Sequence, residues 1–96
     1  MSQLETIREK LKQLRDELGT IYHIQSIGLF GSVVRDDFTP ESDIDIIVDF
    51  SAPIGIGFIE LADILENRLG KPVDLVSKKG IKASYFKAIE AEIIYV

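Results

Sequence analysis

Gly28-Leu29-Phe30-Gly31-Ser32-Val33-Val34-Arg35-Asp36-Asp37, with Ser42-Asp43-Ile44-Asp45-Ile46 a short way downstream, is the stretch on which the reading of this chain turns. An apolar run entering Gly31-Ser32 predicts a strand, Ile24 to Phe30, that ends in a tight turn. Val33 to Asp37 reads as a short helix, and Thr39-Pro40-Glu41-Ser42 as a turn, with Ser42 capping it. Asp43 to Phe50 then carries the strongest strand signal. Alternation points Ile44, Ile46 and Val48 one way, and Asp43, Asp45, Ile47 and Asp49 the other. Strand interiors disfavour aspartate. Two of them on one face, among β-branched neighbours, call for a chemical reason.

Working outward, Ser2 and Glu5 predict a capping box opening a helix over residues 3–18. Its apolar stripe is Leu4, Ile7, Leu11, Leu14 and Leu18, and Gly19 closes the last turn. Ser51 to Gly57 reads as a loop; its Gly55-Ile56-Gly57 lacks the rest of a dinucleotide fingerprint. Phe58, Leu61, Ala62, Leu65 and Leu69 carry a second helical stripe, stopped by Gly70 and Pro72. Val73 to Val76 is a third strand. Lys82 to Glu90 reads as a helix with Tyr85, Phe86 and Ile89 inward, and Ile93 to Val96 as a short last strand. Alternating elements predict a two-layer α/β (α+β) fold, a small mixed sheet flanked by helices. The 96 residues suit one domain, 1–96.

Composition narrows the chemistry. Cysteine is absent, which excludes disulfides, thiolate zinc sites and cysteine nucleophiles. A single histidine, His23, cannot build a multi-histidine metal site and lies far in sequence from the acids. A net charge of −5 argues against direct nucleic-acid binding. No apolar run nears the roughly 20 residues of a membrane span, and the N-terminus lacks signal-peptide blocks. A cytoplasmic protein without membrane contact is expected.

Asp43 and Asp45 leave one strand face about 6.5–7 Å apart along the chain. Such carboxylates repel, and hard divalent ions relieve that repulsion. Asp74, flanked by Val73 and Leu75, could bring a third carboxylate from another strand. Three carboxylates without histidine or cysteine suit Mg²⁺, with Mn²⁺ as a substitute, better than zinc. Two ions about 4 Å apart would serve phosphoryl chemistry. Gly31 lets the backbone turn closely around an anion, where backbone N–H groups and the Ser32 hydroxyl could grip phosphate. Arg35 could add a cation there. Asp49, nearer the strand's end, reads as solvated.

Gly31-Ser32, ten residues and then Asp43-Ile44-Asp45 resemble the signature of the polymerase-beta-like nucleotidyltransferase superfamily. The longer stretch resembles its minimal nucleotidyltransferase (MNT) branch, and the likeness covers nearly all of the chain. The resemblance implies an antitoxin paired with a HEPN-domain RNase toxin, as a hetero-oligomer. It implies transfer of AMP from ATP to a toxin tyrosine. Asp43 and Asp45 would bind both metals, Asp74 would bind the catalytic one and help activate the hydroxyl, and Gly31, Ser32 and Arg35 would contact the triphosphate. The family often has Ala-Arg-Gly where this chain has Val34-Arg35-Asp36, which removes a glycine and adds a negative charge near the phosphates. Two other readings stand beside this one: neutralisation of a partner by binding alone, and nucleotidyl transfer to a small molecule. The last would need an acceptor domain for which this chain has no room.

Overall fold

The structure is a computed structural model and describes residues 2–35 and 37–96. Its first helix, α1, spans Gln3–Leu18, and the Ser2 hydroxyl accepts the Glu5 amide hydrogen at 3.1 Å. Ile7, Leu11, Leu14 and Leu18 form its buried stripe. Gly19 ends the helix in right-handed geometry, donating to the Arg15 carbonyl, so no left-handed cap is used. β1 runs Ile24–Phe30 and β2 runs Ile44–Phe50. The helix α2, Gly57–Leu69, ends at a left-handed Gly70 (φ 73°). β3 (Val73–Ser77), α3 (Ala83–Ile89) and β4 (Ile94–Tyr95) complete the order.

The sheet order is β3-β2-β1-β4. β2 and β3 are parallel, joined across α2, whereas β1 pairs antiparallel with both β2 and β4. The mixed sheet is therefore as the sequence predicts. Because β1 runs against β2 and β3, its C-terminal end meets their N-terminal ends on one edge. The Ile44 amide donates to the Pro72 carbonyl at 2.9 Å, which aligns the starts of β2 and β3.

Ile44, Ile46, Val48 and Phe50 face the main core with Leu11, Leu14, Leu61 and Leu65 of α1 and α2. Burying each such side chain contributes roughly 1.5–3 kcal/mol. The other face is not open to solvent, as two layers would require. Phe30 and Ile47 pack there against Ile89 of α3, with Phe86, Val76, Ile81 and Ile93 around them. A partial third layer thus covers the middle of that face and leaves its edge uncovered. Tyr85 departs from the inward stripe and is exposed, because this seven-residue helix buries little beyond Phe86 and Ile89. Among the described residues, no helix is long and apolar enough to cross a membrane.

Candidate active site

The strand register decides the geometry. Asp45 pairs with Asp74 on one side and with Phe30 on the other, so the three residues form one row across β1, β2 and β3. Adjacent strands lie about 4.8 Å apart, which sets Asp74 directly beside Asp45 on the face that α3 leaves uncovered at its edge. Asp43 precedes Ile44, the first residue of β2, and is exposed. It is held by the turn before it, where the Ser42 hydroxyl accepts the Thr39 amide hydrogen at 3.0 Å. Lys71 pins the same turn, with Nζ donating to the Pro40 carbonyl at 2.9 Å.

Gly31 completes the row from above. Its φ of 75° lies in the left-handed region, and a Cβ there would run into Oδ2 of Asp45 and approach its Cγ to 2.9 Å. Glycine is thus required twice, for backbone conformation and for contact with the carboxylate. Residues Gly31–Val34 form a single 3₁₀ turn, closed by the Arg35 amide donating to the Ser32 carbonyl at 3.1 Å. This corrects the helix expected over 33–37. With no α-helix, anion affinity rests on individual N–H groups rather than on a macrodipole. The charge expected from Asp36 lies outside the described residues.

Burial pushes the Asp45 carboxyl up to about 6, with Asp74 and then Asp43 adding repulsion, Arg35 opposing it and Glu92 adding to it. Three carboxylates act on Asp45 against the one guanidinium of Arg35, an excess of negative charge of the kind that hard divalent cations neutralise. Among the described residues, no three side chains already converge on one point as a finished metal cage. Asp45 and Asp74 are paired neighbours, Asp43 lies two residues before Asp45, and Asp43 and Asp74 are exposed. The donor set and the glycine cradle fit a magnesium site.

One neighbour of the site has only an indirect signal in the sequence. Glu92, in the 3₁₀ turn Glu90–Glu92 after α3, accepts the Gly31 amide hydrogen at 3.2 Å. Arg35 donates to the same carboxylate at 3.1 and 3.4 Å and pairs with Asp37 at 3.3 Å. The sequence marks Arg35 but not what it grips, since Glu92 lies 57 residues away. Gly28, a glycine inside a strand, is the available hint: a Cβ there would meet Ile93 Cγ2 at 2.8 Å. That close approach fixes where the tail crosses β1.

Other expectations divide. His23 lies in the turn before β1, at the far end of the sheet, with φ 54°, and takes no part. Asp49 is not solvated: its side chain is 15% exposed and lies 3.5 Å from Lys79 Nζ. The turn after β3 carries Lys79 over the end of β2, which the sequence pattern does not reveal. A groove of about 510 Å³ between Phe50, Ile54, Phe58 and Lys79 also lies at that end, away from the acids.

An α/β sheet edge that gathers strand carboxylates against a glycine turn defines an enzyme of the nucleotidyl-transferring class. The chain belongs to the family described as the nucleotidyltransferase domain, which matches residues 8–96. Protein adenylyltransferase MntA of Thermococcus cleftensis is 41% identical over 97 residues, covering 100% of this chain and 98% of that one. Among solved structures, a toxin–antitoxin complex with AMP-PNP superposes with a TM-score of 0.76 at 28% identity, covering 91% of this chain and 69% of that one. A tri-AMPylated Shewanella oneidensis HEPN toxin in complex with its MNT antitoxin gives a TM-score of 0.68 at 28% identity, covering 98% and 71%.

Proposed function

We propose that this protein, acting as one domain over residues 1–96, is a magnesium-dependent protein adenylyltransferase. It would serve as an antitoxin that moves AMP from ATP to a tyrosine of a HEPN-domain RNase toxin. The observation that carries this reading is the Phe30–Asp45–Asp74 row with Gly31 seated on the Asp45 carboxylate. Near full-length similarity to an adenylyltransferase, and likeness to complexes holding an ATP analogue or an AMPylated toxin, support the substrate and the partner.

Asp43 and Asp45 would each hold two Mg²⁺ ions, with Mn²⁺ able to replace them, and Asp74 would hold the catalytic one. Bound there, the ions would supply acidity to the tyrosine hydroxyl and charge neutralisation to the departing pyrophosphate. Asp45, buried most deeply of the three, fixes the centre of the cage. Asp74 is exposed on β3, next to Asp45, where an incoming hydroxyl can approach and be oriented. The Gly31 amide and the Ser32 hydroxyl donate to phosphate oxygens, and Arg35 adds positive charge at the same place. The tyrosine oxygen bonds to the α-phosphorus as the bond to pyrophosphate breaks, so no covalent enzyme intermediate is required. That suits a chain without cysteine.

The test is incubation with ATP, Mg²⁺ and the cognate HEPN protein, read by intact mass. One or more AMP additions on the toxin, absent with Asp43→Asn/Asp45→Asn, is the expected result. An unchanged toxin mass with both proteins folded would overturn the proposal. Neutralisation that survives the double substitution would favour inhibition by binding alone.

A further inference from the structure

Glu92 holds the two groups that the reading above assigns to the triphosphate. Its carboxylate accepts from the Gly31 amide at 3.2 Å and from the Arg35 guanidinium at 3.1 and 3.4 Å. A carboxylate that accepts a backbone N–H and, through both oxygens, the Arg35 Nη1 presents negatively charged oxygens to donors that a phosphate group would use. It does so where Gly31 is seated against the Asp45 carboxylate. Glu92 therefore concentrates negative charge at the place where a tetra-anionic chain must enter.

Its setting allows it to leave. The Glu92 side chain is 26% exposed and sits on a three-residue 3₁₀ turn. No strand ladder holds the turn itself. The chain is anchored just beyond it, where Ile94 and Tyr95 pair with Leu29 and Gly28, and Val96 donates to the Ile27 carbonyl at 3.0 Å. Rotation of the Glu92 side chain would clear the amide while β4 stays in place.

We propose that Glu92 is a built-in phosphate mimic that competes with the nucleotide's triphosphate for Gly31 N–H and Arg35, and so sets the affinity for ATP. The proposal rests on the nucleotidyltransferase reading of this site. In the nucleotide-free protein, Glu92 keeps the Gly31 turn and Arg35 in a donor-ready arrangement. On binding, a phosphate oxygen takes its place, Arg35 transfers from carboxylate to phosphate, and the Glu92 side chain turns to solvent. The exchange trades one charge-assisted set of hydrogen bonds for another, so wild-type affinity is held below what the donors alone would allow.

The experiment is calorimetric titration of AMP-PNP in Mg²⁺ into the wild type, Glu92→Gln, Glu92→Ala and Glu90→Gln. Glu92→Gln keeps the shape and an acceptor oxygen but removes the charge; Glu92→Ala removes the competitor. Glu90→Gln removes an equal charge from the same turn and controls for general electrostatics. Tightening of about 5- to 10-fold in both Glu92 variants is expected, with less than about 2-fold in Glu90→Gln. Inorganic tripolyphosphate with Mg²⁺ should show the same ranking, because the competition concerns phosphate alone. In ¹H–¹⁵N spectra the Gly31 amide of the wild type should shift on AMP-PNP addition toward a new position that both Glu92 variants share when bound. Weaker or equal binding by Glu92→Ala, with the wild type binding normally and both melting alike, would make Glu92 a scaffold and overturn the proposal alone. Equal tightening in Glu90→Gln would reduce the effect to net charge and overturn it too. Absence of AMP-PNP binding in every protein, wild type included, would overturn the nucleotidyltransferase reading along with it.

Discussion

Asp45 is the residue at which stability and the proposed chemistry oppose each other. Its carboxyl is raised to about 6 from an ordinary value of 3.8, mainly by burial and then by Asp74 and Asp43. Between those two values the folded chain keeps a proton that the unfolded chain has released. Stability of the metal-free protein therefore falls as pH rises from about 4 to 6. Asp45→Asn should raise metal-free stability at pH 7 by about 1 kcal/mol, after allowing for solvent screening of a half-exposed group. At pH 3.5, where the carboxyl is already neutral, the two proteins should melt together. Urea titrations at the two pH values check this, and a destabilised variant at pH 7 would refute it. Gly31 is the opposite case. Gly31→Ala should cost about 1–3 kcal/mol through positive φ and the collision with the Asp45 carboxylate. Nucleotide binding should fall with it, and the double variant Gly31→Ala/Asp45→Gly should recover only the part of the stability lost to the collision, and none of the binding. Both residues were marked by the sequence, yet their mutual contact was not, because nothing in a one-dimensional pattern says that a turn glycine touches a strand aspartate.

At the scale of elements, β4 is the smallest and the most dependent on a neighbour. Its two residues pair with β1 at Gly28 and Leu29, and Gly28 makes room for Ile93 and Tyr95. Gly28→Val should push β4 off β1 and cost about 1–3 kcal/mol by overpacking. Because Glu92 is tethered to that strand, its bond to the Gly31 amide should loosen as well, visible as a shifted Gly31 amide resonance. A Gly28→Val protein with unchanged melting and an unchanged Gly31 resonance would refute the link. The long elements were legible in the sequence. α1 matches residues 3–18 because Ser2 caps it and four leucine or isoleucine positions repeat on one face. β1 was placed to the residue, and β2 to within one. The weaker turns were not legible: Gly31–Val34 closes as 3₁₀ rather than α, and α3 exposes Tyr85. Segments this short are shaped by what they pack against, and their own periodicity spans too few residues to decide.

For the whole molecule, the proposed metal site predicts that the acidic edge gains stability from a ligand rather than from its own contacts. Mg²⁺ at ten times its dissociation constant should add about 1.4 kcal/mol to the wild type, raising its melting temperature. The variant Asp45→Asn/Asp74→Asn should start more stable and gain nothing from the ion. Scanning calorimetry with and without Mg²⁺ distinguishes these, and an equal shift in both proteins would remove the metal role from these two residues. The main core is independent of this edge: Leu11→Ala should cost about 2–5 kcal/mol with AMP-PNP affinity retained below the melting transition.

The sequence by itself determined the mixed α/β class and the principal helices and strands, and it marked the acidic and glycine residues of the candidate site. Local periodicity and residue chemistry express those things directly. Only the tertiary structure decided that Asp45 and Asp74 share a row, that α3 adds a layer on the acidic face, and that Glu92 returns to grip Gly31 and Arg35. Those facts depend on strand register and on a chain reversal spanning most of the molecule. Register is a relation between segments, set by packing and hydrogen bonding across the sheet, and no segment carries it alone.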